Sequence, residues 1–337
     1  MSRDDFEADR SPLIDSRDAP LPPVQPPSAG FIVQLFVVPA LIVLAVVGVW
    51  ALFGKIASSD EDWRELVEDI RNTNEHRRWR GANGLATLLL RDQQLGDNGQ
   101  HLATNLDIAR VLVDLFDEGL KKHSTRDDDL KQEAFLARTL GLLDTQATVL
   151  PALQHGMKPE QDREIRKNSI ASVAVIAYRA EERNEAVKSP SLVEDLVTTT
   201  SDSDALIRDT ATYALGLVNS PASRERLAVL VASGDVNTRV NAAVALARQK
   251  STAGLAVFEE ILKTGSAPIV DLDAPGQAEA LLSLKNVLHA VRILDGQWTP
   301  AQRRELASII EPISQNHAEP RIRTDAINAL VSLRKDH

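Results

Sequence analysis

Cysteine is absent from all 337 residues. That excludes disulfides, thiolate metal ligands and cysteine nucleophiles, and leaves the compartment open. Aromatic residues make up 4% of the chain, while Ala, Leu and Val abound, so the expected core is one of small, close-packed helices rather than aromatic-rich sheets. Basic residues are also short: 38 Lys and Arg stand against 48 Asp and Glu, a net charge of −10. A nucleic-acid partner, which requires a basic surface, is not expected. The usual catalytic signatures are missing as well. There is no GxxxxGK[ST] phosphate loop and no GxSxG elbow, and none of the seven histidines is followed by Glu or lies four residues from another, so there is no HExxH zinc helix. "LGDNGQ" (95–100) is a turn between helices, and the aspartates of "RDDDLKQE" (126–133) suit a charged helix start better than a cation site. Neither a metal nor a cofactor is expected, and no enzymatic activity.

One long apolar run is present. "GFIVQLFVVPALIVLAVVGVWALF", residues 30–53, carries no charge. As a helix, 24 residues would span roughly 36 Å, enough for a hydrocarbon core of about 30 Å. Trp50 and Lys55 suit its interfacial end. A cleavable signal peptide fits less well, because 29 residues with six acidic side chains precede the run. The expectation is a single-pass membrane helix over 30–53, with the membrane as a partner. The tail before it, residues 1–29, is acidic and Pro-rich and reads as a disordered, semi-extended spacer. Lys55, Arg64 and Arg71 outnumber Arg10 and Arg17 near the anchor, which places residues 54–337 in the cytoplasm. In "HRRWR" (76–80), Arg77, Arg78 and Arg80 form the sharpest basic cluster and are candidates for contact with anionic lipid, although structural pairing is favoured.

From residue 54 onward, short segments with apolar residues every three or four positions follow one another, the pattern of amphipathic helices. They contain a repeat. Asp204, Arg208, Ala211, Ala214 and Leu215 match Asp235, Arg239, Ala242, Ala245 and Leu246 position for position. Asp127, Lys131, Ala134 and Ala137 fit the same template, as do Asp162, Arg166, Ser169 and Ser172, and Glu319, Arg323, Ala326 and Ala329. Degenerate copies begin at His76 with Arg80 and at Asp273 with Gln277. The seven copies are 31 to 51 residues apart, a period suited to two-helix units. The acidic residue should cap a helix and sit near the basic residue one turn on. The small residues on one face should let a neighbouring helix approach closely.

"DALIRDTATYALG", "DVNTRVNAAVALA" and, more loosely, "DREIRKNSIASVAVIA" and "EPRIRTDAINALVSL" resemble HEAT repeats, particularly the short bacterial HEAT-like repeats also found in phycobilin lyases. The likeness covers roughly residues 60–337, with 92–126 and 264–300 matching poorly. It implies an all-α solenoid of stacked helix pairs over 54–337, with about seven repeats. It also implies a packing ladder of Asp127/Lys131, Asp162/Arg166, Asp204/Arg208, Asp235/Arg239 and Glu319/Arg323. HEAT-like enzymes that bind iron, the deoxyhypusine hydroxylases, rely on His-Glu pairs, and this chain has none. The expected function is a membrane-tethered scaffold for a protein partner; the alternative is an enzyme or chromophore-handling factor like the lyases.

Overall fold

The computed structural model describes Gly30 and residues 40–49, 62–187, 189–265 and 274–335. The chain divides into two units, Met1–Asp60 and Glu61–His337.

In the first unit, residues 40–49 are helical and exposed. Among the described residues, no helix is long and apolar enough to cross a membrane. This corrects the expectation of a single-pass membrane protein, and the cytoplasmic placement that depended on it falls too. An apolar composition makes a span only where a helix of sufficient length forms, and the described residues contain none. The rest of that run and the tail 1–29 lie outside the described residues.

The second unit is entirely helical among its described residues, apart from turns and connections. Its helices are α1 (Trp63–Ile70), α2 (Glu75–Leu95), α3 (Leu106–Lys122), α4 (Asp127–Leu140), α5 (Gln146–Met157), α6 (Arg163–Glu182) and α7 (Pro190–Thr199). They continue as α8 (Ala205–Leu217), α9 (Pro221–Ser233), α10 (Val236–Arg248), α11 (Leu255–Gly265), α12 (Ala274–Ile293), α13 (Pro300–Asn316) and α14 (Pro320–Leu333). Each odd-numbered helix packs on the even-numbered one that follows it, and from α4 to α14 each even helix packs on the next even helix. The arrangement is a solenoid of stacked helix pairs, in which each pair buries its apolar face against its neighbour.

Local chemistry sets the boundaries. Asp62, Asn74, Asn105, Asp162, Asp204 and Asp235 are N-caps whose side chains accept from backbone N–H groups of the first turn. Pro190, Pro221, Pro300 and Pro320 open their helices, where a missing N–H costs nothing. The small residues of the repeat template lie in the interfaces: Ala211, Ala214 and Ala242 are fully buried. Gly216 on α8 faces α10 so closely that a Cβ there would sit 2.5 Å from Ala245 Cβ. The buried core forms two clusters that meet on α10. Ala242, Ala245 and Leu246 belong to the first, and Val240, Ala243 and Ala247 to the second. The poorly matched segment 264–300 nevertheless contains a regular member of the stack, since α12 packs between α10 and α14.

Candidate interaction surface

The template residues lie at the start of each even helix, and their bonds lead into the next repeat. Asp204 accepts from the N–H groups of Leu206 and Ile207 at 2.9 and 3.4 Å, and Asp235 from that of Thr238 at 2.9 Å. With the caps so engaged, the basic side chains reach forward. Arg208 Nη2 donates to Asp235 Oδ2 at 3.0 Å, and its Nη1 to the carbonyls of Asp202 and Ser203, both at 3.0 Å. Arg239 meets both oxygens of Glu260 on α11, at 2.5 and 2.6 Å. Arg166, only 9% exposed, donates to Met157 O at 3.2 Å and bonds Asp202. Arg163 bonds Asp204. Each of the four arginines thus has an ion pair that joins its repeat to the one after it.

Other copies differ. Asp162 caps through the Glu164 N–H at 2.7 Å. Asp127 lies inside the first turn of α4 rather than at its cap, and Lys131 is exposed. Glu319 occupies an N-cap position without a side-chain cap bond, and Arg323 donates to the carbonyls of His317 and Ala318 at 2.6 and 3.1 Å. The basic cluster at 77–80 is paired throughout. Arg77 and Arg80 each lie 2.7 Å from Asp69, and Arg78 lies 2.5 Å from Glu118. The bond from Arg80, ahead of that from Arg77, holds the Asp69 carboxyl below its ordinary range.

A second set of ties, absent from the repeat template, closes the other end of the even helices. Arg179 donates to the carbonyls of Gly141, Leu142 and Leu143 at 2.8, 3.2 and 2.8 Å, and Gln249 Nε2 to those of Leu215 and Gly216 at 3.4 and 3.2 Å. Both satisfy carbonyls that a helix end leaves without a partner. A groove of about 890 Å³ beside α5 is lined by Asp144, Gln146, Pro151, Asn184 and Ser189, but its Asp144 is engaged by Arg179 and Arg183 at 3.1 and 3.2 Å.

What stacking leaves over is one exposed face of the even helices. The chain has two tyrosines, and both are there: Tyr178 on α6 is 44% exposed and Tyr213 on α8 is 46% exposed. The Arg248 guanidinium of α10 lies 5.4 Å over the Tyr213 ring. The hydroxyl of Tyr178 bonds Glu182, which pushes its titration upward, and the charge of Arg248 and the ring of Tyr213 lie within its reach. Farther along, α12 exposes Lys285, His289 and Arg292. Burial first, then the charges of Arg292 and Arg248, hold His289 below its ordinary value, with Asp325 of α14 acting against them. Val175, Leu206 and Leu282 add exposed aliphatic surface on α6, α8 and α12. The repeat template passes over this row. Its signal in the sequence is a constant interval: Tyr178, Tyr213 and Arg248 are each 35 residues apart.

Residues 190–281, from α7 into α12, match the family model described as HEAT repeats. Among solved structures, the chain is similar to an engineered protein at 19% identity and a TM-score of 0.39, over 65% of this chain and 96% of that one. It is similar to human deoxyhypusine hydroxylase in complex with glycerol at 12% identity and a TM-score of 0.31, over 84% of this chain and 99% of that one. It is also similar to Cex1p at 13% identity and a TM-score of 0.38, over 81% and 52% of the two chains. No curated protein matches the chain.

Proposed function

We propose that this chain is a protein-interaction scaffold, a stacked-helix platform that holds a protein partner against the free face of its even helices. The carrying observation is the division of labour among its polar side chains. Asp204, Arg208, Asp235 and Arg239 are taken up by caps and inter-repeat bonds, while Tyr178 and Tyr213 lie open beside one another on consecutive even helices. Exposed tyrosines with aliphatic neighbours are the composition of a recognition surface, because each ring offers rigid apolar area and a polar tip. The match of residues 190–281 to HEAT repeats supports the same reading, since stacked repeats work through extended surfaces. The likeness to phycobilin lyases is one of repeats, and a shared repeat confers no activity.

The test is crosslinking of the full chain in its native cells, followed by identification of what remains attached. A reproducible protein partner whose crosslinks map to α6, α8, α10 and α12 is expected. Recovery of no specific partner would overturn the scaffold reading, as would crosslinks confined to the odd helices.

A further inference from the structure

We propose that the row formed by Tyr178, Tyr213, Arg248, Lys285 and Arg292 is a docking site for an extended acidic segment of a partner protein. This inference rests on the scaffold reading and specifies its surface and the chemistry of its ligand.

Charge complementarity carries the argument. The chain as a whole has a net charge of −10, and the arginines at the start of α6, α8 and α10 are matched: those at 163, 166, 208 and 239 all hold carboxylates. Arg248, Lys285 and Arg292 hold none among the described residues. They are the free cations of one contiguous face, and Arg248 also keeps its Nε buried without a hydrogen-bond partner. Stacking of the half-buried Arg248 on Tyr213 at 5.4 Å holds its fork in place, which lowers the ordering cost of gripping a carboxylate.

The row has a direction. Its α6–α8 end is aromatic and aliphatic, with exposed Val175 one turn before Tyr178 and exposed Leu206 two turns before Tyr213; its α10–α12 end carries the cations. Three steps between neighbouring helices, at roughly 8–10 Å each, give a track of roughly 24–30 Å. An extended chain rising about 3.3 Å per residue covers that with about eight residues. The fitting segment is therefore about eight residues long, with an apolar anchor at one end and carboxylates at the other. A nucleic-acid strand fits less well, because the α6–α8 end offers apolar side chains and Glu182 in place of cations and would not hold a continuous line of phosphates.

The test uses the full chain and three fluorescein-labelled probes: an octapeptide with Phe and Leu in one half and four Glu in the other, the same peptide with Lys replacing Glu, and oligouridine. Anisotropy titrations should show binding of the Glu peptide alone, weakening as salt is raised. Arg248→Glu should weaken it at least tenfold, and Tyr213→Ala by a similar factor. Arg248→Gln, which keeps the fold but drops the charge, should give an intermediate loss, and far-UV circular dichroism of each variant should be unchanged. Equal binding of the Glu and Lys peptides, preference for oligouridine, or indifference to both Arg248 substitutions would overturn the proposal. Crosslinking of the native partner separates the two readings: if Arg248→Glu retains that partner fully, the row is wrong and the scaffold stands.

Discussion

Glu133→Gln should stabilise this protein at alkaline pH and remove part of its pH dependence. Glu133 lies on α4 at 5% exposure, in a small recess lined by Trp79, Leu115, Gly119 and Leu136. Gly119 makes the room, since a Cβ there would come within 2.8 Å of Glu133 Cγ. Burial first, then the charge of Asp129 and, more weakly, that of Asp162, push the carboxyl from its ordinary 4.5 up to about 7, against the opposing pull of Lys122. A folded-state value above the unfolded one means that the folded protein holds the proton more tightly. The associated stability is fully present below pH 4.5, declines as pH rises toward about 7, and is lost beyond that. At about 1.4 kcal/mol per unit the shift corresponds to about 3 kcal/mol, and water at the edge of the recess reduces this to about 1–3 kcal/mol. Gln has nearly the same shape and stays neutral throughout, so neither cavity nor strain offsets the gain. Urea titrations of both proteins at pH 5 and pH 8 give the assay. The variant should be about 1–3 kcal/mol more stable at pH 8 and nearly equal at pH 5. Parallel pH profiles for the two proteins would refute the reasoning.

The bonds between repeats make graded predictions. Arg166→Ala strands the Met157 carbonyl and Asp202 at a buried site and should cost about 2–4 kcal/mol in urea titrations. Arg239→Ala breaks a pair with side chains 25% and 47% exposed and should cost only about 0.5–1 kcal/mol, while the exposed Glu225→Ala should stay within about 0.5 kcal/mol. Gly216→Ala should cost about 1–3 kcal/mol by forcing α8 from α10, and part of that loss should return in the double variant with Ala245→Gly; simple additivity of the two would argue against the contact. The N–H of Thr238, ahead of Arg208, holds the Asp235 carboxyl below its ordinary 3.8, so its stabilisation is present above that value and lost as pH falls through the folded-state one. Asp235→Asn should make the acid limb of the stability profile shallower, and an unchanged limb would count against the cap.

The part of the fold legible in the sequence is local. An acidic cap, a basic residue four positions on and two small residues at helical spacing are all set within one helix, so Asp204–Ala214 and Asp235–Ala245 are readable as packed units from residue order alone. The partner of each basic residue is not readable, because it depends on how one repeat is offset against the next. Arg208 is expected beside Asp204 and bonds Asp235 instead. Glu133 looks like a solvated residue in "DDDLKQEAF", and only the glycine across from it on α3 shows that it is enclosed. Glu182, in the polar stretch "RAEERNE", also looks free, yet it holds the hydroxyl of Tyr178. The apolar run at 30–53 differs: it has the composition of a span, yet no helix among the described residues is long and apolar enough to cross a membrane.

The free face follows from how a stacked helix spends its side chains. Along α10, Asp235 caps the first turn, Thr238 reaches Asp209 on α8 at 3.2 Å, Arg239 reaches α11, and Gln249, just past the end, reaches back to α8. Ala242, Ala243, Ala245, Leu246 and Ala247 are buried against neighbours on two sides. A helix held at both ends and on both flanks has one strip left, and on α10 that strip ends in Arg248. On α6 the same subtraction removes Arg163 and Arg166 to the next repeat, Ser172 to Ala137 O at 2.8 Å and Arg179 to the end of α4, leaving Val175 and Tyr178. Packing explains nothing about why an open strip should carry a tyrosine rather than a lysine or glutamate, since a solvated face costs least when it is charged and flexible. Two exposed rings on consecutive even helices, the second stacked by a guanidinium that pairs with no carboxylate among the described residues, depart from that rule, and the proposed acidic ligand is what would account for them.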